Sequence, residues 1–173
     1  MKPFRFGSMF SGMEAASLAW TPPPLAWQCA FVAEHDPEAK SKAEQHAQAL
    51  LRQRYPNVPN LGDVTKFQEW DDYAIDLLVG GSPCQGLSVA GLRKGLSDPR
   101  SSLMLVYGAT AARFRPPWIL WENVPGVLSL DRGRAFATFL GLLSGRRINA
   151  PDEGGWPNTD IIVSDLLAER PLH

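Results

Sequence analysis

Ile75-Asp76-Leu77-Leu78-Val79-Gly80-Gly81-Ser82-Pro83-Cys84-Gln85-Gly86 is the stretch on which the fold and the chemistry of this chain turn. Its apolar opening, Ile75 to Val79, is short enough for a buried strand and is bounded by a glycine pair. A Gly-Gly-Ser-Pro turn then presents one cysteine, followed by a polar loop. Gly80 and Gly81 permit backbone angles closed to other residues, and Pro83 fixes its own φ just ahead of the sulfur. A cysteine on a stiff turn beyond a strand end suits a nucleophile. An isolated cysteine in an apolar sequence also serves as buried filler, and this stretch alone leaves both readings open.

Outward from it the chain alternates between strand and helix patterns. Phe4 to Phe10 is an apolar-leaning run entering Ser11-Gly12-Met13-Glu14, after which Ala15, Leu18, Ala19 and Trp20 follow at helical spacing. Trp27 to Ala33 reads as a second strand with Glu34 at its end and Cys29 in its core. Asp36 as cap, Pro37 at the first position and Glu38 in the first turn predict a helix with Ala39, Ala43, Ala47, Leu50 and Leu51 on its apolar face. Asn60 to Phe67 is a third, weaker strand candidate with Gly62-Asp63 at a turn. Beyond Cys84, Asp98-Pro99 starts a helix bearing Leu103, Val106, Tyr107, Thr110 and Phe114. Trp118-Ile119-Leu120-Trp121 is a fully apolar strand ending in Glu122-Asn123. A last helix carries Phe136, Phe139, Leu140 and Leu143 and is closed by Gly145.

Strands alternating with helices predict an α/β fold with a doubly wound, mostly parallel sheet, whose ligands sit beyond the carboxyl ends of the strands. Gly12, Glu34, Asp63, Cys84 and Glu122 all fall at or just past such ends. Polar residues collect at strand ends in every protein, but five on one rim, a nucleophile and acids among them, exceed what that supplies. An adenosine-type ligand explains Gly12, Glu34 and Asp63 together, because an acid after the second strand binds ribose hydroxyls. Cys84 and Glu122 are left for chemistry on a second substrate.

Composition sets the frame. At 173 residues, 45% hydrophobic and 20% charged, the chain is one globular domain. A net charge of -1 gives no basic surface for a polyanion, so such binding needs a local patch or a part outside this chain. Two cysteines make no disulfide framework, Met1 to Arg5 open no signal peptide, and no apolar run has membrane-spanning length. These observations predict a cytoplasmic protein without membrane partners; the residues point to no metal site.

In family order, Phe10-Ser11-Gly12, Glu34, Gly62-Asp63, Gly81-Ser82-Pro83-Cys84-Gln85 and Glu122-Asn123-Val124-Pro125-Gly126 resemble the DNA (cytosine-5) methyltransferases. The branch resembled is associated with phages and bacteria, including restriction-modification systems, and the resemblance covers roughly Phe4 to Leu143. It implies a Rossmann-like fold that binds S-adenosylmethionine through Phe10, Ser11, Gly12, Glu34, Asp63, Val64, Gly81 and Pro83. It also implies methylation of carbon 5 of a cytosine flipped out of double-stranded DNA. Cys84, led by Pro83, would be the thiolate that adds to carbon 6, Glu122 would hold the proton at ring nitrogen 3, and Asn123 would orient that site. The loop from Gln85 to Arg100 resembles a mobile catalytic loop, with Gln85, Ser88, Arg93 and Lys94 as DNA-contact candidates.

The chain departs from the family pattern at Gly12-Met13-Glu14-Ala15, where many members carry a second glycine cluster. It also lacks a Gln-Arg-x-Arg-like segment after Leu143 and the variable target-recognition region. The expected organisation is therefore a cofactor-binding catalytic core over residues 1–145, then a linker and the start of a C-terminal part over 146–173, with the fold incomplete at its C-terminus. A second polypeptide or self-association would supply the rest. Two alternatives stand beside a DNA methyltransferase: the same mechanism applied to cytosine in RNA, and a non-catalytic module that binds cofactor or partner.

Overall fold

The computed structural model describes residues 2–36, 39, 41, 45–83, 103–152 and 156. The chain divides into two compact units, one of Met1–Ser82 with Phe114–Glu122, the other of Pro83–Arg113 with Asn123–His173.

The first unit is built on four parallel strands, β1 (Arg5–Met9), β2 (Gln28–Ala33), β3 (Leu77–Gly81) and β4 (Trp118–Glu122), in the order β2-β1-β3-β4. The sequence expectation of an α/β chain with a parallel sheet holds. Chain order reverses at β1: β2 is added on one side and β3 on the other. The crevice beyond the ends of β1 and β3 is thus a switch point, the place where open parallel sheets bind ligands. Helices α1 (Ala15–Trp20) and α2 (His46–Arg54) follow β1 and β2.

Phe6, Met9, Phe31, Ala33 and Leu78 are fully buried in the middle of this sheet. Between β1 and β2 the register shifts at Phe6/Gly7, so that Gly7 lies opposite Phe31. A Cβ added at Gly7 would come within 2.3 Å of the Phe31 ring. The ring occupies the space a side chain would need, and it also meets Trp70, Tyr73 and Phe114 at centroid distances of 5.9, 5.1 and 5.7 Å. Gly7→Ala should therefore destabilise the fold by about 1–3 kcal/mol through overpacking. Urea denaturation checks this; an unchanged midpoint would mean the aromatic cluster yields freely.

The second unit holds α3 (Leu103–Phe114, its last residue counted with the first unit), a 3-10 turn at Pro125–Leu128 and α4 (Arg134–Ser144). Every residue from Met104 to Ala111 is buried. Gly108 makes room for Leu142, whose Cδ2 would lie 2.7 Å from a Cβ there. Phe136 and Phe139 are buried on α4, Leu143 nearly so, and Gly145 at φ 68° ends the helix as expected. Trp156 packs edge-on to Phe136 and donates its indole N–H to the Gly133 carbonyl at 3.0 Å.

Several local expectations are corrected. The helix after Asp36 begins only at His46 among the described residues, and Ala39 and Ser41 are not helical. Gln45 clasps Asp36: its Oε1 accepts the Asp36 amide at 2.9 Å, and its Nε2 donates to the Asp36 carbonyl at 2.6 Å. Pro37, Glu38 and Ala43 lie outside the described residues. Asn60 to Phe67 is no strand: Asn60 makes a single bridge to Val32, and Val64–Glu69 is a 3-10 helix capped by Asp63. The glycine pair lies inside β3 and not beyond it, at ordinary negative φ. Helix α1 buries Ser17 beside the capping Glu14, whereas Leu18 is 55% exposed. Strand β4 is an edge with Trp118 63% and Leu120 48% exposed, because no further strand among the described residues pairs with it.

Candidate functional site

Strand β1 ends in a loop with an unusual backbone. Phe10, Gly12 and Glu14 take φ values of 55°, 52° and 63°, so alternate residues of a five-residue loop are left-handed. Non-glycine residues there cost on the order of 1–3 kcal/mol each, and such strain persists where surrounding contacts fix it. Those contacts are specific. Ser11 Oγ accepts the Ala33 amide at 3.1 Å and donates to the Ser8 carbonyl at 3.0 Å, tying the ends of β1 and β2. Glu14 caps α1: its Oε1 accepts the Ser17 amide at 3.0 Å and the Ser17 hydroxyl at 2.9 Å.

Gly12 donates its amide to Glu34 Oε2 at 2.7 Å. The two residues singled out at the ends of β1 and β2 are thus in direct contact. Among the described residues a Cβ at Gly12 would meet nothing within 4 Å, so the loop faces open space with respect to them.

Asn60, which sequence reasoning passed over, organises the neighbouring residues. Its Oδ1 accepts the amides of Glu34 at 3.0 Å and Gly62 at 2.9 Å, and its Nδ2 donates to the Glu34 carbonyl at 3.3 Å. Gln48 adds a bond to the same carbonyl at 2.8 Å. One side-chain amide thereby holds the end of β2 against the Gly62-Asp63 turn. The bond from Asn60 to the amide two residues on is an Asx turn, and Asn-Leu-Gly was its sequence signal. Asp63 Oδ1 accepts the Thr65 amide and hydroxyl at 2.9 and 2.7 Å, and Val64 behind it is buried.

At the far side of the switch point, β3 and β4 pair with Gly80 opposite Trp121 and Gly81 opposite Glu122. Trp121 donates its indole N–H to the buried Ser82 Oγ at 3.1 Å, which binds the two strand tips together. Glu122 itself is exposed at the rim. In the second unit, Pro83 is exposed and Asn123 Oδ1 accepts the Val124 amide at 2.9 Å. Cys84, Gln85, Ser88, Arg93 and Lys94 lie outside the described residues.

Cys29 is half-buried in β2, with its thiol pushed up to about 12 by burial and by the Glu14 carboxylate. A thiol raised that far is protonated at neutral pH, which does not suit Cys29 to nucleophilic chemistry. Among the described residues, no group of three or more His, Cys, Asp and Glu is disposed to hold a metal ion. No helix there is long and apolar enough to cross a membrane.

The sheet order defines an α/β protein with its topological switch point between β1 and β3. Comparison with known proteins gives the family. Residues 4–145 match the model of the C-5 cytosine-specific DNA methylases, and the chain belongs to that family. It is 42% identical over 168 residues to a protein of Escherichia phage P1 named DNA N-6-adenine-methyltransferase, covering 90% of this chain and 21% of that protein. It is 32% identical over 136 residues to the type II methyltransferase M.NgoBV of Neisseria gonorrhoeae, covering 76% of this chain and 30% of that protein. This chain thus spans less than a third of the length of these relatives. A crystal structure of the S. pombe Dnmt2 methyltransferase shares the fold at TM-score 0.58 and 17% identity, over 80% of this chain and 40% of that one.

Proposed function

We propose that this chain is the cofactor-binding and catalytic part of a cytosine-5 DNA methyltransferase. On this reading residues 1–145 form the core, and target recognition comes from a longer form of the protein, a second polypeptide or a second copy. The observation that carries the reading is the division of the rim of the first unit. Gly12, Glu34 and Asp63 gather around the ends of β1 and β2, while Glu122 lies at the end of β4.

The first group fits S-adenosylmethionine. Glu34 Oε2 is held by Gly12, which leaves Oε1 as an acceptor for ribose hydroxyls beside open space. Asp63 stands one turn away, placed by Asn60. When bound, the cofactor supplies a methyl group on a sulfonium centre. Phe10, Ser11, Val64, Gly81 and Pro83 complete the proposed lining.

The second group suits the base. Carbon 5 of cytosine is a weak nucleophile until a thiolate adds to carbon 6. Cys84 is assigned that addition; once carbon 5 had gained the methyl group given up by the sulfonium, the carbon–sulfur bond would break again as a general base takes the proton from carbon 5. Glu122 holds the proton at ring nitrogen 3 as the sulfur adds, keeping negative charge off the ring. Asn123 orients the base, and Gln85, Ser88, Arg93 and Lys94 are assigned to the DNA. Methylation of an exocyclic adenine nitrogen, the activity in the name of the phage P1 relative, needs no thiolate. It would leave the Pro83-Cys84 turn without a task.

The test is a mechanism-based trap: the full chain, together with the part that supplies target recognition, is incubated with S-adenosylmethionine and duplex DNA containing 5-fluorocytosine. A covalent protein–DNA adduct, absent with unmodified cytosine, is expected. The same adduct on single-stranded RNA but not on DNA would transfer the mechanism to RNA, and no adduct on either would defeat it.

A further inference from the structure

We propose that Gly81 is a positioning residue for Glu122: the side chain it lacks is the seat of the Glu122 carboxylate. The inference rests on the proposed role of Glu122 toward the base. Gly81 and Glu122 are direct neighbours across the β3–β4 pair. Side chains of directly opposed residues share one face of a sheet. A Cβ added at Gly81 would lie 2.8 Å from Glu122 Oε2 and 3.5 Å from the Glu122 carbonyl oxygen. The carboxylate therefore lies over the bare Cα of its neighbour.

Backbone conformation does not require glycine at this position, because φ at Gly81 is outside the left-handed region. Room does. The strands cannot open easily to admit a methyl group, since a hydrogen bond ties Ser82, the residue after Gly81, to Trp121, the residue before Glu122. What can give is the far end of the Glu122 side chain, by more than half an ångström. Gly81→Ala thus moves the carboxylate and spares the fold. Misplacement of a reacting group by 1 Å costs up to about 100-fold in rate.

The experiment compares the full chain with Gly81→Ala, Glu122→Asp and the double variant. Two quantities are read: the carboxyl-carbon resonance of Glu122, assigned with Glu122→Gln, and the rate of adduct formation with the 5-fluorocytosine duplex. Gly81→Ala should keep the native circular dichroism, shift the Glu122 resonance and slow the adduct on the order of 10- to 100-fold. With the shorter aspartate at 122, the added methyl at 81 should cost nothing further, a non-additive pair. An unshifted resonance overturns the proposal, as does a shifted resonance with wild-type adduct rate, or additive losses in the double variant. If the wild-type chain forms no adduct, the proposed function fails and the positioning role falls with it. The resonance then still decides whether Gly81 seats the carboxylate.

Discussion

Cys84→Ser is expected to reduce methyl transfer by on the order of 10⁴-fold or more while leaving the protein folded. Serine differs from cysteine by one atom, but its hydroxyl is far less ionised and less nucleophilic at neutral pH. Cys29 cannot substitute, because it is half-buried with its thiol held protonated and sits in β2 among the strand residues. The loss should therefore not be rescued by the second cysteine. The measurement is tritium transfer from labelled cofactor to DNA, with any complementing polypeptide present in equal amounts for wild type and variant. Circular dichroism controls for folding. Near-normal turnover in the variant would remove covalent catalysis from the mechanism.

Glu34→Ala should weaken S-adenosylmethionine binding on the order of 10- to 100-fold. A hydrogen bond to a charged group contributes about 1.5–3 kcal/mol, which sets that range. The structure adds a second consequence. Glu34 also accepts the Gly12 amide at 2.7 Å, so its removal frees a loop already strained at Phe10 and Glu14. Alanine should accordingly bind more weakly than glutamine, which can still accept from Gly12 through its carbonyl oxygen. Isothermal titration calorimetry on both variants separates these effects. Unchanged affinity in Glu34→Ala would move the cofactor away from the end of β2.

Strands β1, β2 and β4 and helix α4 were legible within one or two residues. Strands of a parallel sheet write themselves as nearly unbroken apolar runs, and Gly145 marks a helix end by itself. What was illegible depends on contacts between separated segments. Asp36, Pro37 and Glu38 are sound helix-start signals taken alone, yet Ala39 is not helical and Asp36 is instead bonded to Gln45, nine residues away. Leu18 lies at helical spacing, yet α1 buries Ser17 and its cap Glu14, because the cap draws polar atoms inward. At the site, Gly12 and Glu34 could be picked out by position, but their contact could not. Asn60 was missed since its role is to receive two amides and reach one carbonyl, which no apolar pattern records. Gly81 was noticed for backbone freedom, whereas the reason lies in the neighbouring strand.

The left-handed backbone at Glu14 bears on how such loops should be searched for. A pattern that demands glycine there tests for a letter, while the fold tests for a conformation. Here an acid adopts φ 63° and regains, through two hydrogen bonds to Ser17, part of what the missing freedom costs. Substitution and compensation sit three residues apart, so they can be inherited together as a unit. A profile that scored Gly at the first position, or Glu with Ser three residues later, as equivalent spellings would recover sequences that a glycine-only rule discards.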